Sequence, residues 1–528
     1  MRRPESRVNR RTRVWIWPVV IGLACTLSWS SPAGADSSRP GLGRAIDTLL
    51  DDPSLKGGAA GVVVADAGSG AMLYRHRPDD RLMPASNTKL LTSAAAMGVL
   101  GPDHRFRTDV LTDGTRHGRV LRGDLYLRGT GDPTLLAADY ERLARSVADA
   151  GIRRVTGRLL ADDTRFDAQR VGRSWAADDE SSYYAAQISA LSVAPDTDYD
   201  AGSVIVETAP GARPGARPTV TLTPKTSYVR VENRATTGAA GSGSTLTVER
   251  GHGSNTLTLS GSVPAGAAAA KEWVSVWEPT GYAAAVFADA LERHGVRVAG
   301  ATRLGRATPD GARPLAAHRS MPLKRLLIPF MKLSNNIHAE VLTKAIGYET
   351  AGRGTWTAGL TGISDWLKKR GVDVGSLRQV DGSGLSRMDN VTAGHFSALL
   401  LSVRDEPWYA DWYASLPVAC DADRFVGGTL RTRMCGTPAA HNARGKTGTL
   451  TGASALSGYV TDADGRELVY SVVLNNFLAP SVKSLEDAIV VTLAKSGEDG
   501  TRPIRPRATP RRSAPQTLEC AWTKPHPC

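Results

Sequence analysis

Pro84-Ala85-Ser86-Asn87-Thr88-Lys89-Leu90-Leu91-Thr92-Ser93-Ala94-Ala95-Ala96-Met97 is the stretch on which the reading of this chain turns. Pro84 ends a strand-like region, and a helical pattern runs from Ser86 to Leu100 with Ser86 at its start. Residues three apart share a helix face, so the Ser86 hydroxyl and the Lys89 amine can meet. A serine hydroxyl is a poor nucleophile until a base takes its proton. A lysine is that base only when neutral, and burial and a second nearby cation both favour the neutral form. Alone, Ser-x-x-Lys arises by chance about once in a chain this long, and without further support a capping serine beside a surface lysine is the better explanation.

Upstream, Leu42 to Leu50 reads as a short helix. Ala60 to Ala65 and Ala71 to Arg75 read as strands joined by the turn Asp66-Ala-Gly-Ser-Gly70. Downstream, from about Asp109 to Val298, short β-type runs recur: Asp124 to Leu127, Gly202 to Glu207, Thr219 to Leu222, Tyr228 to Glu232 and Thr256 to Ser260. Pro210 to Pro218 and Thr237 to Ser244 are Gly/Pro/Ser-rich loops between them. Helical sequence returns from Pro322 to Ile346, broken near Ser334, and from Thr357 to Arg370. Ala455 to Val460 and Glu467 to Leu474 flank Thr461-Asp-Ala-Asp-Gly465 as a hairpin, and Val482 to Lys495 has helical periodicity.

Two further motifs follow Lys89 in order. Ser334-Asn335-Asn336 offers a hydroxyl able to relay a proton and an amide, Asn336, able both to accept and to donate. Lys446-Thr447-Gly448-Thr449 precedes the hairpin and reads as an edge strand. Lys446 brings positive charge, Gly448 lets a substrate backbone approach, and the Thr447 and Thr449 hydroxyls suit a carboxylate.

The trio S-x-x-K, S-x-N and K-T-G resembles that of the penicillin-recognising serine peptidases. The chain is most similar to their low-molecular-mass class C branch, the D-Ala-D-Ala carboxypeptidase/endopeptidases. The stretches that carry this are Gly123-Asp-Leu-Tyr-Leu127, Gly131-Asp-Pro-Thr-Leu135, Asp162-Asp-Thr-Arg-Phe166, Asp381-Gly-Ser-Gly-Leu-Ser-Arg387, Gly428-Thr-Leu430 and Lys446-Thr-Gly-Thr-Leu450. The resemblance covers about Leu42 to Lys495. It implies an α+β fold: a transpeptidase domain with an antiparallel sheet flanked by helices, and two nested β-rich inserted domains. The separation of 245 positions from Lys89 to Ser334 leaves room for them. The expected division is a signal peptide at 1–35, a peptidase domain at 36–108 and 318–496, an inserted domain at 109–199 and 273–317, a nested domain at 200–272, and a tail at 497–528.

The same resemblance implies roles. Ser86 is the nucleophile, Lys89 the base, and Ser334 with Lys446 the proton relay to the leaving D-Ala. The Ser86 and Thr449 amides form the oxyanion hole. Thr447 and Thr449 hold the terminal carboxylate beside Gly448, and Asn336 binds the acyl-side amide. Arg387 contacts the peptide stem, with Asp178 or Asp179 behind it. The expected partners are peptidoglycan peptides ending in D-Ala-D-Ala, with β-lactams as inhibitors; no metal or other cofactor is expected. The chain lacks Glu-x-x-Leu-Asn, the deacylating segment of class A β-lactamases, so a lasting penicillin adduct is expected. It departs from the family at Leu416-Pro-Val-Ala-Cys420, where Leu-Pro-x-Ala-Gly is usual.

Composition agrees with an exported enzyme. An Arg-rich start, an apolar run from Val14 to Trp29 and Ala33-Gly34-Ala35 read as a secretory signal, too short for a full membrane span. The net charge of +13 sits largely in the two ends, with no basic stripe, which argues against nucleic acid. Outside the signal, Cys420, Cys435, Cys520 and Cys528 suggest two disulfides in an oxidising compartment. Three connectivities are open; Cys420–Cys435 with Cys520–Cys528 is the simplest, the first closing a loop worth about 3 kcal/mol. Rival chemistries lack their motifs. There is no HExxH and no G-x-S-x-G elbow; His338 reads as a helix-surface residue, and Asp162-Asp163 and Asp178-Asp179 as loop acids. A β-lactamase or esterase on this scaffold, or a non-catalytic wall-binding protein, are the remaining alternatives.

Overall fold

The computed structural model describes residues 40–497. The expected signal peptide, the tail, Cys520 and Cys528 lie outside the described residues.

The sheet that carries the site has five antiparallel strands. In spatial order they are Met72–His76, Ala59–Asp66, Glu467–Asn475, Ala453–Thr461 and Arg444–Leu450. Both faces are covered, so its three inner strands read as nearly continuous apolar runs. Val62, Val64, Leu456, Val472 and Leu474 pack on one side with Leu42, Ile46 and Leu49 of helix Pro40–Leu50 and with Leu485 and Ile489 of helix Lys483–Lys495. Val63, Ala65, Ala455, Val469 and Val473 pack on the other with helices Thr88–Val99, Leu323–Lys332, Asn336–Ala351, Trp356–Lys369 and Ala393–Ser402. Period-two alternation sends successive residues to opposite faces.

Strands between residues 107 and 319 form further sheets. One runs Arg303–Leu304, Leu159–Asp162, Leu125–Gly129, Arg107–Thr112, Arg313–Arg319, and another Arg297–Val298, Arg154–Val155, Val120–Arg122, Thr115–His117. Residues 203–275 supply two three-stranded sheets and a two-stranded one. One apolar core joins these parts: Val110, Leu127 and Phe287 belong to it, as do Val204, Val206 and Leu257.

Two local expectations are corrected. Ser86 does not begin the α-helix: it lies on the 3-10 turn Ala85–Asn87, and the helix starts at Thr88. Asp162 is not a loop acid but the buried end of a strand, where its carboxylate accepts from the Thr164 N–H and hydroxyl.

Candidate active site

The site forms where the nucleophile turn meets the edge strand Arg444–Leu450. Asn87 ties the turn to the sheet by donating from Nδ2 to Ser457 Oγ at 2.8 Å. Gly448 makes the approach close enough. A Cβ there would stand 2.5 Å from the Pro84 carbonyl oxygen and 3.0 Å from the Ser86 and Asn87 nitrogens. The glycine thus accommodates this protein's own turn, a reason the sequence reading had assigned to a substrate backbone.

Part of the strand's outer edge is covered. Val418 bridges Arg444, the Ala419 N–H donates to Ala443, and the Gly445 N–H donates to Pro417 at 3.0 Å. An antiparallel ladder alternates its amide directions. Since Gly445 points outward, the Thr447 and Thr449 amides point outward too. Beyond the cover, this edge can accept an extended peptide as an added strand.

Lys89 and Lys446 are both fully buried, while Ser86 and Ser334 are part-exposed. The Lys89 amine lies 2.8 Å from Ser86 Oγ, 2.6 Å from Asn336 Oδ1 and 2.9 Å from the Ser383 carbonyl oxygen. The last two can only accept. A neutral lysine amine donates its two hydrogens to them and turns its lone pair toward the Ser86 hydroxyl, which is the arrangement of a general base. The Lys446 amine lies 2.8 Å from Ser334 Oγ and 2.7 Å from the Thr447 carbonyl oxygen. Ser334 stands between helices Leu323–Lys332 and Asn336–Ala351, with Asn335 capping the second by accepting from the His338 N–H at 3.1 Å.

The Asn336 side chain is partly committed: Nδ2 donates to the Tyr184 carbonyl at 2.9 Å. Arg387 is exposed and donates to the Thr451 carbonyl at 3.0 Å. Asp179 is buried nearby and accepts from the Tyr184 hydroxyl at 2.8 Å; Asp178 is exposed. Burial pushes the Asp179 carboxyl above its ordinary range, with the Tyr184 hydroxyl and Arg387 pulling the other way.

Several supporting residues were missed by the motif reading. Ser383 holds Lys89 through its carbonyl, and its loop is pinned by Glu340. The Ser383 and Gly382 N–H groups donate to the two Glu340 oxygens at 2.8 Å each, and Trp356 Nε1 donates at 2.7 Å. Glu340 is fully buried, and that burial with the neighbouring Asp381 charge pushes its carboxyl up to about 7. Asp381 accepts from the Gly384 and Ser386 N–H groups and from Trp175 Nε1. Thr429 is another: its Oγ1 lies 2.8 Å from Thr447 Oγ1. The stretches Asp381-Gly-Ser-Gly and Gly428-Thr-Leu430 were the available signals for these loops. Tyr184 had none, because it enters by a backbone carbonyl.

His338 is not on a helix surface. It is fully buried, its Nε2 lies 3.0 Å from the Tyr199 carbonyl, and burial pushes its imidazole down to about 4. Cys420 and Cys435 are joined, with Cα atoms 4.9 Å apart. The turn at residues 424–427 and the 3-10 turn Gly428–Leu430 thereby lie in a clipped loop beside the site.

The fold and this arrangement place the chain in the penicillin-binding/β-lactamase-like class. The crystal structure of penicillin binding protein 4 (DacB) from Haemophilus influenzae matches with a TM-score of 0.74 at 24% identity, covering 85% of this chain and 99% of that one. A second crystal structure of that protein, complexed with a novel β-lactam, matches with a TM-score of 0.67 at 24% identity, covering 83% and 94%. A D-alanyl-D-alanine carboxypeptidase of Actinomadura sp. is 46% identical over 508 residues, which are 95% of this chain and 94% of the relative. The profile of the D-Ala-D-Ala carboxypeptidase 3 (S13) family matches residues 42–496, and the chain belongs to that family.

Proposed function

We propose that this chain is a serine-type D-Ala-D-Ala carboxypeptidase acting through an acyl-enzyme on Ser86. The observation that carries the reading is the Lys89 amine held 2.8 Å from Ser86 Oγ by two fixed acceptors. Ser86 Oγ attacks the carbonyl of the penultimate D-Ala while Lys89 takes its proton. The Ser86 amide and the outward Thr449 amide receive the oxyanion; groups of this kind typically contribute about 3–4 kcal/mol each. The C–N bond then breaks, and Ser334 with Lys446 delivers a proton to the departing D-Ala amine. Water completes the cycle by attacking the acyl carbon and restoring Ser86. When the leaving amine belongs to a D-Ala-linked cross-bridge, the same steps are an endopeptidase reaction.

Thr447 and Thr449 hold the terminal carboxylate. The remaining Asn336 N–H binds the acyl-side amide, and Arg387 with Asp179 faces the peptide stem. A β-lactam carries a comparable carboxylate and a strained amide, so it acylates Ser86 in place of the peptide. The division into a peptidase domain and two nested inserts belongs to this proposal, as does export. Among the described residues no helix is long and apolar enough to cross a membrane, and the Cys420–Cys435 bridge suits an oxidising compartment.

The test is intact-mass analysis after incubation with a labelled penicillin, beside D-Ala release from a D-Ala-D-Ala peptide. One stable adduct and D-Ala release are expected, both lost in Ser86→Ala. An adduct that persists in the variant refutes the assignment of Ser86.

A further inference from the structure

The hydrogen bond between Thr447 and Thr429 joins the site to the loop closed by the Cys420–Cys435 bridge. Thr447 is 5% exposed, and its hydroxyl does not reach the cleft unaccompanied: Thr429 Oγ1 lies against it at 2.8 Å. Two residues along the same strand, the buried Thr449 Oγ1 has no hydrogen-bond partner among the described residues. The two hydroxyls assigned to the terminal carboxylate are therefore unlike, and one of them is steered by a neighbour.

Thr429 is itself held tightly. It follows Gly427-Gly428, where no side chain fits. A Cβ on Gly427 would meet the Asp421 carbonyl oxygen at 1.9 Å, and one on Gly428 the Lys332 carbonyl oxygen at 2.5 Å. Gly428 also has a φ of +51°, which favours glycine. The Cys420 N–H donates to the Leu430 carbonyl at 3.0 Å, one residue past Thr429. Cys420 is then bridged to Cys435, so the covalent link closes directly around Thr429.

A threonine hydroxyl has one proton to give and two lone pairs to receive with. In the structure Thr447 donates to Thr429 Oγ1; when a carboxylate arrives the pair reverses, Thr429 donating to Thr447 Oγ1 and the Thr447 proton turning to the anion, and hydrogen bonds in series strengthen one another. We propose that Thr429 is a positioning residue that aims the Thr447 hydroxyl at the substrate's terminal carboxylate, and that the Cys420–Cys435 bridge holds Thr429 in place. Preference for a free C-terminal carboxylate then depends on a loop outside the three motifs. This inference rests on the peptidase reading above.

The experiment uses two thioesters of one acyl-D-Ala group, identical except that one leaving group bears a carboxylate. The activated leaving group lets both react, and the readout is the ratio of their kcat/KM values. The wild type favours the carboxylate-bearing thioester. In Thr429→Val that ratio falls about tenfold, equivalent to ~1.4 kcal/mol; Thr429→Ser restores it, and the double variant Cys420→Ser/Cys435→Ser lowers it in the same direction. A Thr429→Val ratio equal to wild type, or a loss that Thr429→Ser shares, overturns the positioning role. A double variant with the wild-type ratio overturns the role of the bridge. Absence of Ser86-dependent turnover on either thioester is a separate result, and it overturns the peptidase reading on which the inference rests.

Discussion

Gly448→Ala tests whether contact between the nucleophile turn and the edge strand sets the reactive geometry. The new Cβ would lie 2.5 Å from the Pro84 carbonyl oxygen, where ordinary contact begins at 3.4 Å, and 3.0 Å from the Ser86 and Asn87 nitrogens. All three are backbone atoms, so no side chain can swing aside. Turn and strand must separate by ~0.9 Å, and the Ser86 amide and hydroxyl move away from Thr449 together. A misplacement near 1 Å costs about 10²-fold in rate, or ~2.7 kcal/mol of activation free energy. Overpacking of this kind also removes about 1–3 kcal/mol of stability. The assay is the second-order rate of acylation by a labelled penicillin, followed by intact mass, with thermal melts run in parallel. Gly243→Ala is the control, since a Cβ there meets nothing within 4 Å, and it should leave both measurements alone. Acylation of Gly448→Ala within threefold of wild type would refute the reasoning.

Three further outcomes are expected. Lys89→Met should keep the fold but lose at least 10²-fold in acylation, the usual scale for removing a general base; unchanged acylation would remove Lys89 from that role. Glu340→Gln presents an NH2 group to donors that now meet a carboxylate oxygen. It should cost about 1–3 kcal/mol of stability and slow acylation through the Ser383 carbonyl; melts and rates both equal to wild type would argue against this. Lys332 is buried beside helix Leu323–Lys332's end and donates to the Leu416 carbonyl; burial first, then the Arg444 charge, lowers its amine from 10.5 to about 7. Between those values the unfolded chain binds the proton and the folded one does not, so this group makes stability rise with pH. Lys332→Met should flatten the rise in melting temperature between pH 7 and 9.5, and an identical slope would contradict the burial argument.

What was legible in the sequence was local. Strand Thr256–Ser260 lies where its alternation predicts, and the last helix begins one residue later than expected. Ser86 and Lys89 were readable as a pair because a three-residue spacing crosses a single helical turn. The sheet order was not readable from periodicity, since Ala59–Asp66 pairs with Glu467–Asn475, some 400 residues away. Nor were the site's backbone partners. The Ser383 and Tyr184 carbonyls act through groups that every residue carries, so no side-chain pattern marks them. Misreading His338 has the same origin: helix Asn336–Ala351 is buried almost all round, from Asn336 through Gly347, so polarity at a helical position did not mean exposure.

The motif reading also could not anticipate where the backbone is strained, and that strain follows the chemistry. Ala85, immediately before the nucleophile, has a φ of +48°, and Ser334 has one of +56°. A side-chain-bearing residue in this region typically costs about 1–3 kcal/mol and persists only when its surroundings over-determine it. Those surroundings are visible. Gly384 leaves room for the Ala85 carbonyl, which a Cβ would meet at 1.9 Å, and Gly448 leaves room for the Pro84 carbonyl. The Asn335 N–H, next after Ser334, donates to Phe330 at 3.0 Å while Lys446 binds the Ser334 hydroxyl. Each strained residue is thus clamped by a neighbour from a distant part of the chain. Glycines at 384 and 448, quoted at first as parts of short motifs, are better understood as the recesses into which the nucleophile turn is pressed.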